Sequence, residues 1–306
     1  MSSKKVISTS IDPGRRHMLR MLAVTTMFSP FVDAQMVTSS PHTDSGIVVT
    51  EWLPLEMLLT LGVMPLAVAE AANYRSLVQQ PVLSEDVTEL GLRTEPNLEL
   101  MAALKPALIV YAEGYGPPPT LYDAIAPSMA IAFSDKNGHP LSTTCTALLS
   151  LAAKIGKEKT AREVLAWLER DIASLRLAAA DKIKRPLLFM ALVDARHALV
   201  FGENSLFMDV MTGAEIPGGW QGETNFWGSA VVSIERLASI VHTDVICFTE
   251  QNDEAVMNEL ASTTLWKAMP FVRSGQFHRV PGLWYYGGPL TALRFCHLLK
   301  SLLNKI

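Results

Sequence analysis

The aromatic residues set among glycines and prolines are the side chains here whose placement calls for a chemical reason. Trp52 stands in Glu51-Trp52-Leu53-Pro54, and Tyr115 in Glu113-Gly114-Tyr115-Gly116-Pro117. Trp220 and Trp227 flank Gln221-Gly222-Glu223-Thr224-Asn225-Phe226, and Trp284-Tyr285-Tyr286 runs into Gly287-Gly288-Pro289. A lone tryptophan is ordinarily core. Aromatics on four loops, two in each half of the chain, read instead as walls for an apolar ligand face. Arg93, in Leu90-Gly91-Leu92-Arg93-Thr94-Glu95-Pro96, belongs with them. Alone it would be a solvated surface cation; beside such rings its guanidinium can donate a fork of hydrogen bonds to clustered oxygens. Trp167 and Trp266 lie in helical stretches and read as core.

Bond-making chemistry finds no comparable support. The chain has no G-x-S-x-G elbow, no H-E-x-x-H, no phosphate-binding G-x-x-x-x-G-K-[ST] and no G-x-G-x-x-G between a strand and a helix. None of the seven histidines has another three or four residues away, so no helical metal pair exists. Cys145, Cys247 and Cys296 read as small buried residues, and spacing leaves a Cys247–Cys296 disulfide open. The expectation is a protein that is not an enzyme and has no metal ligands or cofactor.

The elements needed to position these loops alternate. Gly46–Thr50 and Leu108–Tyr111 read as buried strands, with helical spacing over Glu56–Leu61 and Asn97–Leu104 between them. The alternation returns at Pro186–Leu192, Ala198–Phe201 and Val245–Phe248, and it predicts parallel sheets covered by helices. Ligands of such sheets bind beyond the carboxyl ends of the strands, where the aromatic loops fall. Between the halves, Ser142–Lys154 reads as a helix stopped near Gly156, and Lys157–Lys182 as a second one without Gly or Pro, suited to connect two lobes. A weak repeat supports two lobes: an offset of 136 lays Leu98-Glu99 on Ile234-Glu235, and one of 152 lays Val48, Glu51 and Pro65 on Val200, Glu203 and Pro217. The predicted divisions are 1–34, 35–156, 157–182 and 183–306.

The first of these divisions is an export signal. Arg15-Arg16-His17-Met18-Leu19-Arg20 precedes the uncharged Met21–Phe28, and Val32 and Ala34 supply the small residues of a cleavage site after Ala34. The paired arginines point to the twin-arginine route. With 26 Lys+Arg against 30 Asp+Glu the chain carries −4; removing residues 1–34 takes away five bases and two acids and leaves −7. That balance, without a basic block, excludes nucleic acid as a natural partner. No later stretch reaches the ~20 apolar residues of a membrane span.

Several strings together resemble the periplasmic ferric hydroxamate (ferrichrome-type siderophore) binding proteins of iron-uptake ABC importers. They are Glu-Trp-Leu-Pro at 51–54, Gly-Leu-Arg-Thr-Glu-Pro-Asn-Leu-Glu-Leu at 91–100, Gly-Tyr-Gly-Pro at 114–117 and Trp-Gln-Gly-Glu-Thr-Asn-Phe-Trp-Gly-Ser at 220–229. Two more, at 199–207 and 266–273, carry the likeness through the second half. The resemblance implies two α/β lobes with mostly parallel sheets joined by a single long backbone helix, with the siderophore in a shallow cleft between them. It implies that Arg93 and Tyr115 hydrogen-bond the hydroxamate oxygens, that Trp52, Trp227, Trp284 and Tyr286 form aromatic walls, and that Asn225 and Ser229 are polar positions near the ligand. Leu77 and Tyr111 depart from relatives that carry tryptophan there.

The resemblance also implies that Glu99 and Glu235, on repeated acidic helices, dock the protein, as a monomer, on an inner-membrane permease with its ATPase. The bland role for each is to complement a helix dipole. Two rival readings are a protein of the same fold for another metal chelate, such as cobalamin or haem, and an exported α/β enzyme. The first predicts a loop set other than Arg93, Tyr115 and Trp227, and the second needs a nucleophile–base pair.

Overall fold

The computed structural model describes residues 46–249, 253–303 and 305, so the expected export signal lies outside the described residues. Short β-branched runs between turn residues form the strands. In the first half these are β1 (Ile47–Val49), β2 (Ala67–Val68), β3 (Thr88–Glu89), β4 (Leu108–Ala112) and β5 (Ser128–Ile131). They make one parallel sheet in the order β3-β2-β1-β4-β5. The second half supplies β6 (Leu187–Leu192), β7 (His197–Phe201), β8 (Ser229–Ser233), β9 (Asp244–Thr249) and β10 (Phe277–Pro281), in the order β10-β9-β6-β7-β8. Here β6, β9 and β10 are parallel, whereas β7 is antiparallel to both β6 and β8.

That antiparallel strand corrects part of the repeat. The offset of 136 lands on equivalent elements: helix Leu98–Leu104 and the 3-10 helix Ile234–Ser239 open on the paired residues, and β4 and β9 hold matching places. The offset of 152 fails at Val200. Val48 pairs with Ile109 of β4, and the residue that pairs correspondingly with β9 is Leu188 of β6. Val200 belongs to the hairpin strand beside it. A turn between β6 and β7, in which Asp194 accepts the N–H groups of Arg196 and His197 at 2.6 and 2.8 Å, is too short for any parallel crossover.

Helix Pro140–Ile155 ends on Gly156 at φ 69°, and the long helix Glu158–Ala179 follows. Its 22 residues span about 33 Å, four residues fewer than the gap in Gly and Pro suggested. Ala161, Val164, Leu168, Leu175 and Ala179 form its buried stripe. Trp167 lies one residue, about 100°, off that stripe and is 48% exposed, so the expectation of a core tryptophan is wrong there. Trp266 is buried as expected. The long helix packs on helix Pro289–Leu302, where Asp171 takes both His297 Nε2 and Lys300 Nζ at 2.6 Å.

One apolar core runs through both lobes, joining Val49 and Val110 of the first sheet to Phe189 and Phe248 of the second through helices Trp52–Thr60 and Pro289–Leu302. A separate cluster around Trp266 backs the outer face of the second sheet. Cys296 lies in the shared core and Cys247 in the outer cluster, so the sheet stands between the two thiols.

Candidate ligand-binding cleft

The first lobe contributes a polar wall. Glu51 is the N-cap of helix Trp52–Thr60: its Oε2 accepts Leu53 N–H at 2.7 Å, leaving Oε1 to take Arg93 Nη1 at 2.6 Å. Glu70 completes the clamp, accepting Arg93 Nε at 3.1 Å and its backbone N–H at 3.2 Å. Glu70 adopts the left-handed conformation at φ 53°, uncommon for a residue with a side chain and frequent at functional positions. Burial alone would raise its carboxyl pKa, but the Arg93 N–H bonds and charge outweigh that and hold it below the usual range. The guanidinium lies 3.8 Å over the Trp52 ring and 5.7 Å from that of Tyr115. Gly116, at φ 82°, lets the Tyr115 loop close on this arginine, since a Cβ there would come within 3.0 Å of Arg93 O.

The second lobe contributes an apolar wall. Asn225 Oδ1 accepts the N–H of Trp227 at 2.9 Å and that of Ser229 at 3.1 Å, folding a turn that presents the Trp227 ring. Gly228 is obligatory in that turn, because a Cβ would collide with Ser205 N at 2.1 Å. Ser229 is buried, and its hydroxyl lies 3.3 Å from the Tyr286 hydroxyl. Trp284 and Tyr286 face the cavity while Tyr285 between them packs on Phe201, the alternation of an extended chain.

These walls enclose a cavity of about 260 Å³ lined by Glu51, Leu53, Arg93, Ala112, Glu113, Tyr115, Phe133, Trp227, Trp284 and Tyr286. That is below the ~300–1,000 Å³ of pockets that enclose a whole drug-sized molecule, so a larger chelate sits partly outside. Of the expected site residues, Arg93, Tyr115, Trp227, Trp284 and Tyr286 are brought together on the cavity. Trp52 is not a wall: it is 2% exposed, donates Nε1–H to Ala69 O at 3.3 Å and supports Arg93 from beneath. Asn225 and Ser229 are absent from the lining and hold the loops that form it. Trp220 faces the outer core, and Tyr111 packs on Tyr122 in a cluster behind the first sheet.

Phe133, Glu51, Leu53, Ala112 and Glu113 were missed by sequence reasoning. Phe133 packs against both Trp227 and Tyr286, at 5.1 and 6.1 Å, so the first lobe reaches into the apolar wall. The one available signal was at Glu51, an acid directly before a helix. Glu99 and Glu235 are exposed, each in the first turn of its helix. Hydrogen bonds from its own N–H and from Ser233 lower the Glu235 pKa. Among the described residues no cluster of His, Cys, Asp and Glu is arranged to hold a metal ion, and no helix is long and apolar enough to cross a membrane.

Comparison with known proteins adds the context of the fold. The family described as "Periplasmic binding protein" matches residues 47–282. The iron(3+)-hydroxamate-binding protein FhuD of Escherichia coli is 43% identical over 287 residues, 94% of this chain and 95% of that protein. Among solved structures, the Fe3+–Desferal-bound siderophore-binding protein FhuD of Vibrio cholerae matches with a TM-score of 0.74 at 28% identity, covering 84% of this chain and 97% of the other. The triscatecholate siderophore-binding protein FeuA of Bacillus subtilis, at 16% identity and a TM-score of 0.69 over 87% and 94% of the two chains, shares the fold.

Proposed function

The chain belongs to the periplasmic binding protein family, and we propose that it binds Fe(III)–hydroxamate siderophores in the cleft between its lobes and delivers them to an inner-membrane ABC permease. The observation that carries this reading is the Arg93 clamp facing an aromatic wall. Arg93 Nε and Nη1 are held by Glu70 and Glu51, while Nη2 has no hydrogen-bond partner among the described residues, and Arg93 lines the cavity. Three hydroxamates cancel the charge of Fe(III) and fill its octahedral oxygen shell, so recognition requires no protein ligand to the metal. It requires donors for electron-rich oxygens and surface for a carbon frame. Arg93 and Tyr115 supply the donors; Trp227, Trp284, Tyr286 and Phe133 cover the frame. The 43% identity to a hydroxamate-binding protein across nearly the whole chain supports the same choice.

The remaining assignments follow from this one. Residues 1–34 direct export by the twin-arginine route, and the mature monomer consists of lobes 35–156 and 183–306 joined through 157–182. Glu99 and Glu235, one exposed acid per lobe, meet cationic residues of the permease, where complementary charge steers docking. A tryptophan-fluorescence titration with ferric hydroxamate, ferric catecholate and cobalamin ligands tests the reading. Saturable quenching at micromolar ferric hydroxamate is expected, and quenching by cobalamin or the catecholate alone overturns it.

A further inference from the structure

We infer that Glu113 sets the charge preference of the cleft, favouring ferric hydroxamates with a pendant cationic group over neutral chelates of the same shape and disfavouring anionic ones. This inference rests on the siderophore-binding reading above. The charges around the cavity are few. Among the described residues Arg93 is the sole cation of the lining, and both Glu51 and Glu70 are committed to it, so that cluster already sums to one negative charge. The wall of Trp227, Trp284, Tyr286 and Phe133 carries none.

Glu113 adds a second negative charge. It follows β4 on the cavity wall, where its backbone N–H donates to Ile131 O at 2.8 Å and fixes the main chain against β5. Its side chain is exposed, and among the described residues no Lys, Arg or His forms an ion pair with it. A carboxylate with no such role inside the molecule, on the rim of a ligand cleft, is free to act on the ligand.

The neutral tris-hydroxamate core is indifferent to that charge, so discrimination falls on whatever charged group the ligand carries outside its chelate. An ammonium reaching the rim meets the carboxylate of Glu113 and the face of Tyr115 two residues on, and both attract it. A carboxylate in that place is repelled. The site is open to water, which makes the effect modest and sensitive to salt.

The test uses two probes: a linear ferric trihydroxamate ending in a primary ammonium, and the same chelate with that amine acetylated. Both are titrated by fluorescence quenching into the full mature chain, so each protein provides its own ratio of affinities. The wild type is expected to prefer the ammonium probe by about two- to fivefold at low ionic strength. The preference shrinks at about 0.5 M NaCl, where screening acts over a few ångströms. Glu113→Gln brings the ratio to about one, and Glu113→Lys inverts it. Equal binding of both probes by the wild type, or a preference that Glu113→Gln and Glu113→Lys retain, overturns the inference. Failure of the wild type to bind either probe overturns the siderophore reading itself, and this inference with it.

Discussion

Glu51 and Glu56 lie five residues apart at the start of one helix, and they serve two different joints, Glu51 within the first lobe at the cleft and Glu56 across the two lobes. Glu56 points into the seam. It is 1% exposed and accepts Gly288 N–H, Thr291 N–H and the Thr291 hydroxyl at 3.0, 3.1 and 2.6 Å, capping helix Pro289–Leu302 from the other lobe. Its hydrogen bonds come from uncharged donors at a helix N-terminus, and the charge of Arg294, on that same helix, also acts on it. Glu51 points toward the cleft and spends one oxygen on its own helix and the other on Arg93. The seam gives both carboxylate oxygens partners inside the molecule, which makes it structural. The cleft leaves one edge of a cation unsatisfied, which makes it suited to recognition.

The sharpest way to break this contrast is at the seam. Glu56→Ala leaves three buried donors without an acceptor and is expected to destabilise the fold by about 3–5 kcal/mol in urea unfolding, with Glu56→Gln costing less because its amide oxygen still accepts. Ligand affinity of the folded fraction should stay near wild type. A variant that keeps its stability but loses binding would show that seam and cleft are not separate devices.

Arg93→Ala tests the other side. Removing a charged hydrogen-bond donor weakens binding by about 1.5–3 kcal/mol, roughly 10- to 150-fold. Arg93→Lys recovers little, because an ammonium cannot span Glu51, Glu70 and a ligand in one plane. Unfolding midpoints should move less than for Glu56→Ala, since the pairs Arg93 leaves behind can reach water at the cleft. Trp227→Ala is expected to weaken binding by about 1–2 kcal/mol through lost apolar contact, and Trp227→Phe by about half of that. If Trp227→Ala weakened binding more than Arg93→Ala did, the aromatic wall rather than the guanidinium would dominate recognition.

The contrast between the two joints also explains what could be read in the chain beforehand. Strands of β-branched residues and loops rich in Gly, Pro and aromatics have local signatures, so the two α/β halves, the connecting helix, Arg93 and most of the aromatic wall were legible. The clamp was not. Glu51 and Glu70 lie 42 and 23 residues from the arginine they hold, and nothing local links them. Trp52 looked like a loop aromatic because Pro54 follows closely, yet proline is tolerated in the first helical turn, and the Glu51 cap starts the helix early enough to turn the indole inward. The β6–β7 hairpin was hidden because a buried hairpin strand is as apolar as a parallel one.

The smallest expected effect distinguishes the two joints by the sign of their pH dependence. The Arg93 N–H bonds and charge, against burial, lower the pKa of Glu70, whereas burial, against the bonds from Thr291 and Gly288, raises that of Glu56. A lowered carboxylate contributes stability that is present above the ordinary value near 4.5 and lost as pH falls through the folded pKa. A raised one behaves in the opposite sense: its contribution is present below that value and lost as pH rises through the folded pKa. Urea midpoints measured from pH 3 to pH 7 should therefore show Glu70→Gln flattening the acid limb, by no more than about 1 kcal/mol for a pair partly open to solvent. Glu56→Gln should instead remove a decline on the high-pH side of the carboxylate range. Profiles that changed in the same direction for both variants would mean that the cleft carboxylate is as sequestered as the one in the seam, and that Arg93 is a structural ion pair rather than a donor held open for a ligand.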